Sequence, residues 1–171
     1  MHLTTLGIIH TTISLVALAA AFVTLFRHHH IRWATRSGKV YVAATVLTCL
    51  TGFGIFQHGG FGKPHALGII TLVVMAVALG AELRGWFGHF SRYVATAAYS
   101  LTFLFHWIPG ITETTTRLPP GAPLLSSPDA PELQVAAAAL FVAYLVGASL
   151  QVWGLREAVP LDDVDDAPLP R

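Results

Sequence analysis

Residues 52–70 read GFGIFQHGGFGKPHALGII, and this stretch decides the fold. Two apolar runs meet at a short glycine-rich turn, and a histidine, His58 or His65, stands on each side of it. A connection this short makes the flanking segments antiparallel neighbours. Pro64 suits the first turn of the second segment, where its missing N–H costs nothing. Each run, followed outward from the turn, reaches the roughly 17–25 residues that carry a helix across about 30 Å of hydrocarbon. A helix is the form expected there, because lipid offers backbone groups no partner of its own.

The rest of the chain fits that reading. Of its 171 residues 54% are hydrophobic and only 11% are charged, and the mean hydropathy is +0.62. A soluble domain carries about a quarter charged residues. The charges here fall between long apolar runs, as in a polytopic membrane protein. Five spans are expected, at 5–26, 39–57, 64–83, 92–108 and 133–155. The expected fold is therefore an all-α bundle of about five transmembrane helices over residues 1–156. An acidic, proline-rich and disordered cytoplasmic tail follows at 157–171. The first run lacks a basic leader and an A-x-A-like site, so it reads as a retained span and not as a cleaved signal. The net charge of +1, without a basic face, gives no reason to expect a nucleic-acid partner. The single cysteine, Cys49, reads as a small buried hydrophobe.

Basic residues in short loops set the orientation. Arg27, Arg32, Arg36 and Lys39 mark the first loop, and Arg84 and Arg92 mark the third. The second and fourth hold only Lys63 and Arg117. The first and third loops are thus expected in the cytoplasm, with the N-terminus outside, in a multi-pass protein of a bacterial inner membrane. Trp33, Trp86, Trp107 and Trp153 are expected near span ends, as interfacial aromatics.

On this topology His10, His58, His65 and His106, from four different spans, fall at one depth near the outer face. Ionisable residues at membrane depth are costly and are candidates for function. Histidine is the commonest metal ligand and an axial ligand of haem. The four are therefore candidate cofactor ligands, for haem b or for a transition metal ion. Glu113 could be a fifth ligand, a partner to an imidazole N–H, or a base. Thr11, Thr12, Gln57 and Tyr99 could add hydrogen bonds. The plainer alternative is a pair of solvated turn histidines and core histidines bonded to carbonyls, and it is the better reading for any one of them taken alone. Residues 111–118 are expected to fold across the outer face as a lid. They would open a connection of about 20 residues, with Glu113 pointing inward and Arg117 as its partner. At the inner face His28, His29, His30 and His89 read as a solvated basic surface against anionic lipid, or as a second metal or haem site. Glu82, the one acid near a span interior, sits where it can snorkel. Walker A, H-E-x-x-H, C-x-x-C-H and C-x-x-C motifs are absent, as are paired carboxylates within a span.

The stretches IIHTTISL, SGKVYV, HGGFGKPHALGIITL and ITETTTRLP resemble an uncharacterised family of small multi-spanning bacterial membrane proteins, a domain of unknown function. The likeness covers residues 6–123 and implies no particular activity. In outline the arrangement is also similar to membrane cytochromes b and ferric-reductase-like proteins, which hang haem between histidines of neighbouring helices. That likeness implies haem b, electron transfer, and a quinone or redox protein as partner in the lipid bilayer. Those proteins usually place two histidines on one helix to hold two haems. Here that needs His28–His30 to extend the first helix inward from His10. The rival expectations are a metal-dependent membrane enzyme, with Glu113 as base to a metal-bound water, and a non-catalytic accessory or assembly subunit.

Overall fold

The structure is a computed structural model in which residues 4–55 and 60–157 are described. All its regular structure is helical among those residues: five α-helices and one 3-10 turn. Local rules start and stop the helices. Thr4 precedes α1 (Thr5–His28), and its hydroxyl oxygen accepts the Gly7 N–H at 3.1 Å, satisfying a donor that helix geometry leaves orphaned. Thr35 does the same for α2 (Arg36–Gly52), taking the Gly38 N–H at 3.0 Å. A Cβ on Gly38 would lie 1.8 Å from the Arg32 carbonyl oxygen, so only glycine fits where the connecting loop crosses the helix start. α3 (Lys63–Arg84) carries Pro64 in its first turn and ends at Gly85, in the left-handed conformation with φ 63°. A 3-10 turn (Gly88–Phe90) leads into α4 (Ser91–Arg117), and α5 (Pro131–Glu157) follows after residues 118–130.

Side-chain contacts set the directions. His10, early in α1, meets Thr51 late in α2, while Thr24, late in α1, meets Ser37 early in α2. The two helices are therefore antiparallel. Phe53, just past α2, lies over Gly68 of α3, where a Cβ would come within 2.8 Å of its ring. Glu82, late in α3, accepts the Tyr99 hydroxyl of α4. Phe22 of α1 packs edge-on against Phe103 and Trp107 of α4, closing the ring. The enclosed core is built of small residues around a few large ones: Ala17, Ala21, Ala78, Tyr41, Met75 and Tyr99. Small side chains let membrane helices approach closely. α5 packs on the outside of α4, where Ser100 donates to Gln151 at 2.6 Å, and only Ala148 of α5 is buried.

Among the described residues four helical segments are long and apolar enough to cross a membrane: α1, α3, α4 with its 3-10 turn, and α5. Their outer faces carry large apolar side chains, with Phe26, Val135 and Leu150 all exposed. Apolar patches of that extent do not face water in soluble proteins. α2 falls outside this set. Its 17 residues make a helix of about 25 Å, and Arg36 and Lys39 occupy its first turn. It is nevertheless well buried, through Tyr41, Val42, Ala44, Thr45 and Cys49, and Cys49 is free and buried as expected. Gln57, expected to end the second span, and the 158–171 part of the acidic tail lie outside the described residues.

The fourth span differs from expectation. It does not stop at Ile108 but continues as helix to Arg117, through Pro109. Residues 111–117 are thus an extension of α4, and no lid folds back from Pro109. The reason is local. Proline's φ suits a helix, and the cost is one lost N–H bond and some crowding. The threonines beyond it bond their own helix: Thr112 to the Ile108 carbonyl, Thr114 to Gly110, Thr115 to Ile111 and Thr116 to Thr112, at 2.7–2.9 Å. Trp107, expected at a span end, consequently sits well inside α4 in an aromatic cluster.

Candidate functional site

The bundle brings two of the predicted histidines toward one another. His10 lies half-buried on α1, with Nδ1 3.1 Å from the Thr51 hydroxyl oxygen. That hydroxyl donates its own proton to the Leu47 carbonyl at 2.8 Å. Its oxygen must therefore accept, and His10 Nδ1 carries the proton. A Cβ on Gly52 would come within 3.2 Å of the His10 ring, so glycine makes the room for it. His106 is only 6% exposed. Its Nδ1 is 3.0 Å from the Thr102 carbonyl oxygen, which can only accept, so again Nδ1 holds the proton. The Nε2 lone pair of His106 is buried and has no hydrogen-bond partner among the described residues. The two imidazoles lie within electrostatic reach of one another.

They do not share one height. His106 lies beside Tyr41, in the first half of α2, with ring centres 6.0 Å apart and the rings tilted by 43°, whereas His10 sits at the last turn of α2. His106 is thus deeper in the bundle.

The other predicted residues take separate roles. His65 Nδ1 accepts the Gly62 N–H at 3.3 Å, so it is the opposite tautomer, with its proton on Nε2. It caps the start of α3 beneath the rings of Phe61 and Phe53. His58 lies outside the described residues. Glu113 forms an ion pair with Arg117 one helical turn on, as expected, but on the side of a helix more than half exposed. It stays within electrostatic reach of His10. Among the described residues no three of His, Cys, Asp and Glu stand close enough together to hold a metal ion. Of the proposed helpers, Thr12 bonds its own helix at the Ile8 carbonyl, and Tyr99 points the other way, to Glu82.

Sequence reasoning missed what happens at the opposite end. Glu82 does not snorkel. Its carboxylate accepts the Trp33 N–H at 2.9 Å, the Ala34 N–H at 3.2 Å and the Tyr99 hydroxyl at 2.8 Å. It pins the first loop and α4 to the end of α3. Its solitary place in an apolar run was the available signal. Beside it opens a cleft of about 400 Å³, edged by His30, Arg32, His89 and Arg92. The histidine tract is divided among tasks: His28 ends α1, His29 caps it in the left-handed conformation, and His30 lines the cleft. Burial, and then the nearby Arg32 charge, hold His30 below the usual imidazole range.

A polar ladder runs between the two ends through the core. Thr102 Oγ1 donates to the Tyr99 carbonyl at 2.8 Å, so the Tyr41 hydroxyl, 2.6 Å away, donates to Thr102. The ladder stops at that carbonyl, which has no proton to pass on. It satisfies buried hydroxyls and is not a continuous proton path. Comparison of the chain with family models, with curated proteins and with solved structures finds no match.

Proposed function

We propose that this is a multi-pass protein of a bacterial inner membrane, with its N-terminus outside, in which His10 and His106 would hold a b-type haem that would supply electron transfer. One observation carries the reading. Two imidazoles on different helices both spend Nδ1–H inside the bundle and leave an Nε2 lone pair, that of His106 buried and without a partner among the described residues. A buried polar atom with no partner costs about 1–3 kcal/mol, and holding such a group through His106 Nε2 would offset this. Two imidazoles are the donors that such a group would take.

It fits a three-ligand metal less well, because His65 is the wrong tautomer and is used as a cap, and because no third donor joins the pair among the described residues. The same points weaken the reading of Glu113 as base to a metal-bound water. When bound, haem supplies reversible one-electron chemistry. The residues of the chain do the rest. The Thr102 carbonyl and the Thr51 hydroxyl fix the tautomer and plane of each ring and raise its basicity. Tyr41 covers His106 and keeps water from it. The electron partner in this reading is a membrane quinone or a redox protein.

The test is haem content. Protein purified in detergent from haem-replete cells should carry non-covalent haem in equimolar amount, released as the pyridine haemochrome of protohaem. Protein with no haem, which also fails to take up added haemin, would end the proposal.

A further inference from the structure

The cleft beside Glu82 stands apart from the histidine pair, and nothing in the proposed redox role uses it. Its rim is basic. Arg32 and His30 come from the first loop, His89 from the 3-10 turn and Arg92 from the first turn of α4. The Arg92 guanidinium lies over the Tyr93 ring, 4.7 Å from its centre, and one of its nitrogens donates to the Tyr93 hydroxyl at 2.5 Å, which leaves its other N–H groups unspent on that ring. α4 begins with no side-chain cap, so the positive end of its dipole adds to the same field. The opposing charge is Glu82, whose carboxylate is engaged by the three donors named above. The floor and one wall are apolar: Ile31, Ala81, Ala95 and, from α5, Leu155.

From this juxtaposition we infer that the cleft binds the phosphate-bearing headgroup of an anionic phospholipid, with the start of its acyl chains against Leu155 and Ala95. Guanidinium groups are suited to phosphate because their N–H donors form a planar fork. A cleft of about 400 Å³ is in the range of sites for whole small molecules and is roomy for a bare phosphate ion. Of the apolar lining, Leu155 lies on the peripheral helix α5, whose exposed face is itself apolar. That combination of basic rim and apolar wall matches a lipid and not a soluble anion. His30 and His89 add donors at the rim.

Native mass spectrometry of the full-length protein, delipidated in detergent and then titrated with dioleoyl-phosphatidylglycerol or dioleoyl-phosphatidylcholine, tests the inference. Phosphatidylglycerol should be retained preferentially, and excess inorganic phosphate should not displace it. Arg32→Ala and Arg92→Ala should each weaken retention by about tenfold, the size expected for one charge-assisted hydrogen bond. Arg27→Ala, a charge removed from the same surface but outside the cleft, should leave retention unchanged. Far-UV circular dichroism with the helical signal of the wild type would show that each variant is folded, and Arg92→Lys should keep part of the binding. Equal retention of the two lipids, displacement by inorganic phosphate, or equal losses from Arg27→Ala and Arg92→Ala would each overturn the assignment.

Discussion

At the scale of the residue, hydrogen-bond chemistry separates histidines that look alike in sequence. His10 and His106 face acceptors with Nδ1, and His65 faces a donor. The identity of the partner atom sets the tautomer, and the tautomer decides whether Nε2 can ligate. Nothing in the sequence distinguishes the three, because the partner of each depends on helix register. His30 shows a different control. Its folded-state pKa lies below the ordinary 6.5, chiefly through burial. In the interval below 6.5 the unfolded chain binds more protons than the folded one, so stability rises with pH there. The contribution is complete above about 6.5 and is lost as pH falls through the lowered value. Thermal melts in detergent should therefore weaken from about pH 7 to about pH 5, the histidine range, and His30→Asn should flatten part of that decline. Superimposable pH profiles for the two proteins would show that His30 plays no part. Tyr99→Phe removes one of three donors to Glu82 and should lower stability by about 1–3 kcal/mol. A melting temperature equal to that of the wild type would mean that Glu82 is held by the loop alone.

At the scale of the element, the sequence was read correctly where hydrophobic length alone decides and misread where a local breaker seemed decisive. The starts of α1, α3 and α5 lie within about two residues of expectation, because a long apolar run has one stable form in lipid. Pro109 and Gly110 read as a stop, yet α4 runs to Arg117. The threonine hydroxyls bond their own helix beyond the proline, and the packing of Trp107 and Phe103 against Phe22 is a tertiary fact that single-residue punctuation cannot convey. The change of element changes the expectation for Glu113. On a lid it would face the histidines. On a helix its exposed carboxylate belongs to an ion pair with the half-buried Arg117, of a kind worth about 0.5 kcal/mol. Glu113→Gln should therefore leave thermal stability unchanged within that margin. A loss of several degrees would indicate a buried role for the carboxylate.

At the scale of the whole molecule, alternation of helix direction places His10 at one end of the bundle and Glu82 with its basic cleft at the other. The first end is legible in the sequence as four histidines in four spans. The second is only partly legible, because a cleft depends on how α3, α4 and the first loop splay apart. In the proposed orientation, drawn from the basic residues of the first and third connections, the cleft end would face the cytoplasm. Reporter fusions after Glu157 and within residues 122–130 should accordingly report cytoplasm and exterior respectively. The same side for both would mean that α5 does not cross the membrane. The central claim is the pairing of His10 with His106, and the dithionite-reduced minus air-oxidised absorption spectrum of membranes containing each variant tests it most directly. The wild type and His65→Ala should show the sharp Soret and α bands of a low-spin b-type haem. His10→Ala and His106→Ala should lose them, and His106→Met, which keeps a ligand, should shift them. A wild type without these bands, or bands that survive both alanine substitutions, would contradict the account.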